Sequence, residues 1–209
     1  MIKLENVNKE FKTKRIFQNL DLTIENGKCV GIIGENGCGK SVLLKLICGF
    51  SKPDSGNIIV DGERLGDKRD FIPNAGVIIN SPNFIGHYTG YENLMLLASI
   101  QKRIGKKEII NILDRVGLSN LGKTRVKNYS LGMKQRLRIA QAIMENPEYL
   151  ILDEPMNALD NDGITMVDDI INEFHTNGKT ILMTSHNPLD IEHHCDYVLK
   201  VNNFSVSVC

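Results

Sequence analysis

The chain has 209 residues, enough for one well-filled core and a small second subdomain. Its 25 Lys and Arg balance its 25 Asp and Glu, so no global basic field points to a nucleic-acid partner. The 5 cysteines are odd in number and form no C-x-x-C pair, which suits reduced cytosolic thiols, and no apolar run approaches the ~18 residues that cross a bilayer. If the protein serves a membrane, another chain provides the spanning part.

Residues 2–8 alternate as a strand and carry no apolar signal core. Residues 16–25 read as a second strand, across the polar loop Lys12-Thr13-Lys14. Residues 28–33 read as a short buried strand, and residues 41–48 open an apolar helix. Between them Gly34-Glu35-Asn36-Gly37-Cys38-Gly39-Lys40-Ser41 matches G-x-x-x-x-G-K-[ST] without a mismatch, in the strand–loop–helix context that makes the spacing a phosphate site. Glycines at 34, 37 and 39 let backbone N–H groups converge on one anion, and the helix N-terminus adds partial positive charge. Lys40 can reach the β- and γ-phosphates, and the Ser41 hydroxyl can ligate Mg²⁺. Val42 continues the nucleotide-binding set into the helix.

Pro53-Asp54-Ser55-Gly56 is a turn, and residues 57–61 form another strand, ended by Gly62. These pieces predict an antiparallel sheet beside the nucleotide. Residues 76–79, 149–152, 180–183 and 197–201 are short apolar runs alternating with helical segments, as buried parallel strands do. Residues 91–101 and 106–117 read as amphipathic helices inserted between two core strands. Residues 130–145 form a further helix, with Ser130 as N-cap and Pro147 beyond its end. The fold class is therefore α/β: one domain over 1–209, with a mainly parallel core sheet, an N-terminal antiparallel β subdomain and a helical subdomain at about 83–145. The basic residues at 102, 103, 106 and 107 read as a solvated helix end, and His193-His194-Cys195 as a solvated helix whose consecutive residues cannot converge on a metal.

Tyr149-Leu150-Ile151-Leu152-Asp153-Glu154-Pro155 is an apolar strand ending in two acids. Asp153 can hold Mg²⁺ opposite Ser41, and Glu154 can accept a proton from an attacking water. Neighbouring strand residues point to opposite faces, so the two acids should have separate jobs.

With these residues in place, the chain resembles the ATP-binding subunits of ABC transporters across essentially its whole length. Tyr129-Ser130-Leu131-Gly132-Met133-Lys134-Gln135-Arg136 stands where that family has its signature, Asn157-Ala158-Leu159-Asp160 looks like its D-loop, and Thr184-Ser185-His186 looks like its switch histidine. Phe11 sits where the family places an aromatic that stacks on adenine. The S-L-G-M-K-Q-R wording resembles a branch of bacitracin-type and lantibiotic self-protection exporters, as do the stretches at 76–84 and 88–94. In that alignment Asn80 takes the place of the Q-loop glutamine, or of a glutamate in this branch, as a magnesium contact, but its amide falls short by roughly 1.3–1.5 Å, one C–C bond, which leaves contact through a water.

The resemblance implies an ATPase using ATP and Mg²⁺, peripheral on the cytoplasmic face of the cell membrane, driving a separate permease, an exporter of an antimicrobial peptide or similar amphipathic compound. Lys40, Glu154 and His186 are its implied catalytic residues. It implies a second cassette, identical or different, because in the family the signature of one subunit (here Ser130, Leu131, Gly132 and Met133) covers the γ-phosphate on the loop of its partner, with Asp160 in the D-loop. Residues 84–91 are the expected permease contact. The alternative is a soluble ABC ATPase without a permease; the absence of sustained heptads between loop and signature, and the single cassette, separate this chain from DNA-repair and translation relatives. A non-hydrolysing regulatory cassette is opposed by the intact Lys40, Asp153, Glu154 and His186.

Overall fold

The computed structural model describes residues 1–12, 14–80, 83–202 and 204–209. Thr13 of the loop after the first strand, and Ser81 and Pro82 of the 76–84 stretch, lie outside these residues.

Strands β1 (Ile2–Phe11) and β2 (Lys14–Ile24) pair antiparallel. Both run further than the 2–8 and 16–25 patterns propose at the ends facing their loop. The reason is a pair of irregularities. Asn6 (φ 50°) and Asn19 (φ 47°) adopt left-handed backbone, the register shifts between Leu4 and Val7, and the inward alternation resumes one residue late. β4 (Ser55–Val60) joins the other side of β1 and the two-residue β5 (Glu63–Arg64) closes a sheet of order β2-β1-β4-β5. Residues 55 and 56, read as turn, already belong to β4.

The second sheet has order β10-β9-β3-β8-β7-β6. β3 (Cys29–Ile33), β6 (Ala75–Ile78), β7 (Tyr149–Asp153), β8 (Thr180–Thr184) and β9 (Tyr197–Asn202) are parallel, and only β10 (Ser205–Val208) at the edge is antiparallel. The central strands are apolar along nearly their whole length because both faces are covered, the exceptions being Asp153 at the end of β7 and Thr180 and Thr184 at the ends of β8. One face, with Val30, Ile32, Ile151 and Leu182, packs on α1 (Lys40–Cys48) and on Ile2, Leu4 and Phe17 of the first sheet. The other, with Leu150, Leu152, Ile181 and Met183, packs on Leu137, Ala140 and Ile143 of α4 (Leu131–Ile143) and Val167, Ile170 and Phe174 of α5 (Asn161–Thr176). α1 is thus held between two sheets.

Between β6 and β7 the chain is helical: α2 (Gly90–Gln101), α3 (Lys106–Arg115), two short 3-10 turns and α4. Thr89 and Glu92 close a reciprocal capping box at the start of α2. α3 stops two residues before the predicted end, where Gly117 takes φ 72°, and α4 stops at Ile143 rather than 145. α2 is less amphipathic than its pattern suggests, since Leu96 and Ile100 face solvent. The short α6 (Pro188–His194) precedes β9. His193 is exposed, as expected, but His194 corrects the solvated reading: its side chain is only 6% exposed, and its ring nitrogens meet Asp168 at 2.8 Å and Asn172 at 3.3 Å, joining α6 to α5. Among the described residues no cluster of three or more His, Cys, Asp or Glu could hold a metal ion, and no helix is long and apolar enough to cross a membrane.

Candidate functional site

Parallel strands put their C-terminal ends on one edge of the sheet, and ligands bind there. β3, β7 and β8 deliver the phosphate loop, the two acids and the histidine segment to that edge.

The loop leaves β3 and enters α1 through Gly39 at φ 118°. A Cβ there would be strained and would lie 2.8 Å from Ile16, so the loop can pass close to β2 only as glycine. Gly39 offers no side-chain cap to α1, which leaves the first-turn N–H groups to an anion. Lys40 is buried and folds back over the loop, its Nζ donating to the carbonyls of Gly34 (2.7 Å) and Glu35 (3.1 Å). Glu35, Asn36 and Gly37 are exposed, and Cys38, Ser41 and Val42 half-buried. A cavity of about 670 Å³ beside the loop is lined by residues 34–38 together with Lys14, Arg15, Lys200 and Phe204.

The acids divide as the strand argument expects, by a different geometry. Asp153 ends β7 and accepts from Ser41 Oγ (2.7 Å) and from Thr184 Oγ1 (2.8 Å). Glu154 has left the strand, with φ 53°, and points away. Its Oε1 meets His186 Nε2 at 2.5 Å, its Oε2 accepts from Asn157, and its N–H donates to Thr184 Oγ1 at 2.9 Å. Thr184 is fully buried and holds both acids through one hydroxyl. Sequence reading grouped Thr184 with His186 but missed this role, since only the Asp153–Thr184 register of the two strands reveals it. Asn80, at φ 53°, lines a cavity of about 460 Å³ with Asp153, Glu154, Asn157, Arg138 and Leu131.

The signature begins α4. Ser130 caps the helix, its Oγ accepting from Met133 N–H at 3.1 Å, and Leu131 is 71% exposed. Gly132 has a packing reason that helix propensity alone does not suggest: a Cβ would lie 2.9 Å from the Ala158 carbonyl. Among the described residues no signature residue lines the cavity beside the phosphate loop. Asp160 caps α5 through Gly163 N–H (3.0 Å) and accepts from Arg136 at 2.7 Å; that guanidinium first, then the cap, holds its carboxyl below the usual carboxylate range. Phe11 ends β1, half exposed, opposite Lys14, whose ammonium donates to Gly37 O at 3.1 Å. Lys14, at the start of β2, therefore reaches over the loop, although Phe11 itself lines neither cavity described above. In the 84–91 segment Phe84 packs into the core, Asn93 holds the Ile85 N–H and the carbonyls of Ile85 and Thr89, and Tyr88 is 36% exposed.

The family model described as ABC transporter matches residues 17–157. An uncharacterized ABC transporter ATP-binding protein of Bacillus subtilis (strain 168), YybJ, is 39% identical over 203 residues, covering 97% of this chain and 93% of that protein. The lantibiotic transport ATP-binding protein SrtF of Streptococcus pyogenes is 37% identical over 198 residues, covering 95% of this chain and 85% of its own length. The solved structure of an ATP binding subunit of an ABC transporter superposes with a TM-score of 0.89 at 25% identity, covering 100% of this chain and 89% of that one.

Proposed function

This chain belongs to the ABC transporter family, in which it is an ATP-binding and ATP-hydrolysing subunit, and from that premise we propose how its residues divide the work. The observation that carries the reading is the split between the acids: Asp153 bound to Ser41, Glu154 turned to His186. ATP lies with its phosphates on the Gly34–Ser41 loop and the α1 N-terminus, and Lys40 exchanges the loop carbonyls for the β- and γ-phosphates. Phe11 stacks on the adenine. A hydroxyl and a carboxylate 2.7 Å apart suit a hard cation, so Ser41 and Asp153, with Asn80, would hold Mg²⁺. When bound, that ion neutralises charge on the phosphate oxygens. Glu154 takes the proton of the attacking water, and His186 holds that water and the γ-phosphate in place.

The partners are a second cassette and a membrane permease. Ser130, Leu131, Gly132 and Met133 stand at a second helix N-terminus, away from the cavity beside the chain's own loop, and serve a partner's nucleotide. The protein works on the cytoplasmic face of the membrane. Its permease meets it at residues 84–91, with Tyr88 exposed, and at the exposed apolar side chains Phe50, Phe71, Leu96 and Ile100. The likeness to a lantibiotic transport protein supports export of an antimicrobial peptide or similar amphipathic compound.

Glu154→Gln tests the division of labour. The amide keeps the shape and loses the base, so hydrolysis should fall by about 10²–10⁴-fold while ATP affinity survives. Unconsumed ATP should hold the closed dimer, giving a larger dimer peak in gel filtration with Mg²⁺-ATP than wild type. Hydrolysis within a few-fold of wild type would remove Glu154 as the base.

A further inference from the structure

We propose that Arg138 is a positioning residue for Glu154, acting through Gln135; the inference rests on the reading of Glu154 as the base. Glu154 holds a left-handed backbone, which costs a residue with a Cβ free energy that its surroundings must offset. Part of that offset comes from α4. Gln135 is 5% exposed, and its Nε2 donates to the Pro155 carbonyl at 2.8 Å and lies 3.5 Å from that of Glu154. The Glu154 carbonyl also accepts from Asn157 N–H at 3.3 Å, so the Pro155 carbonyl is the one that takes its buried donor from this amide.

An amide has two ends, and half a turn would set its oxygen against the two carbonyls. Arg138 removes that choice. A guanidinium only donates, and its Nη1 donates to Gln135 Oε1 at 3.0 Å. The NH₂ group must then face residues 154 and 155. The two side chains stand three apart on α4 and so share a helix face. That helix starts at Ser130, and its Gly132 lies against the Ala158 carbonyl in the segment following Glu154. The element that presents the signature outward therefore also sets the base of its own chain. Arg138 lines the same cavity as Asn80 and Glu154, so a direct contact with nucleotide is the competing role.

Steady-state ATPase kinetics of the full chain at high, fixed concentration, with nucleotide titration and urea unfolding, separate the two. Arg138→Met keeps the length of the side chain and removes the donor. It should lower kcat roughly 10- to 100-fold, the scale of a misplaced catalytic group, with KM and ATP affinity unchanged. Arg138→Lys, which can still donate, should recover most of the rate. Gln135→Glu keeps an ionic partner for Arg138, so the fold survives, but offers oxygens to the two carbonyls; kcat should fall as in R138M. Because the two residues act in series, the double variant should be no slower than the slower single variant. Wild-type kcat in R138M or Q135E, a parallel loss of ATP affinity in R138M, or losses that multiply would overturn the inference. Glu154→Gln runs alongside: near wild-type hydrolysis there sinks both readings, whereas an inactive E154Q with active R138M and Q135E sinks this one alone.

Discussion

Lys40 is bound to its own loop, its ammonium shared between two carbonyls in a site that water barely reaches. Those bonds hold the side chain at the mouth of the loop, where phosphate oxygens can replace the carbonyls with charge-assisted contacts. Lys40→Ala should therefore weaken ATP by roughly 1.5–3 kcal/mol, about 10- to 100-fold. A nucleotide titration identical to wild type would remove Lys40 from the site. The loop, Asp153, Glu154 and His186 are legible in the sequence because each is a local word: the glycine spacing, the acids ending an apolar run, the histidine after another. Gln135, Arg138 and the role of Thr184 are not. Gln135 and Thr184 contact residues far away in the chain, and those contacts exist only once α4 has folded over the end of β7 and β8 has paired beside it; Arg138 bears on the site through its helix neighbour Gln135. The closeness of Gly132 to Ala158 belongs to the same class.

At the scale of elements, the buried strands were readable because a strand covered on both faces is a nearly continuous apolar run, and helices such as α4 because their caps are side chains with known preferences. β5 and β10 are edge strands of two and four residues, too short for a pattern, and the extra length of β1 and β2 lies beyond bulges that shift the alternation. One joint between elements makes a pH-dependent prediction. Asp196 accepts from Cys29 N–H of β3 at 2.8 Å, meets His175 of α5 at 3.0 Å and Lys28 at 3.5 Å. Burial works against its charge, but the Cys29 N–H and the charges of His175 and Lys28 outweigh it and hold the carboxyl below its ordinary value. A depressed folded-state value means that this stabilisation is complete above the unfolded-chain pKa of about 3.9 and is lost as pH falls through the lower folded one. Asp196→Asn should be less stable than wild type at neutral pH, and the gap in urea midpoint should close between about pH 5 and about pH 3. A gap that stays constant over that range would show that the charge on Asp196 contributes nothing.

For the molecule as a whole, the question is why two helix N-termini suited to anions should exist on one chain. α1 opens into the phosphate loop without a side-chain cap, and α4 opens at Ser130 beside an exposed Leu131. Both are fixed by the same sheet, α1 on one face and α4 on the other, so neither can swing to the other's cavity without breaking a core. Leu131 borders the cavity of Asp153 and Glu154, but among the described residues none of the α4 terminus lines the cavity beside the loop, so one nucleotide on that loop does not easily use both. Two chains arranged head to tail can, each lending its α4 terminus to the phosphate held by the other. The isolated subunit should then be a weak ATPase when dilute and mainly monomeric without ATP. Turnover per subunit should rise with protein concentration and level off as the dimer saturates, because each active site needs a second molecule. Light scattering during turnover should follow the same curve. Specific activity that stays constant on dilution, with a monomer throughout turnover, would refute the shared site and leave the Ser130–Gly132 turn as an ordinary helix start.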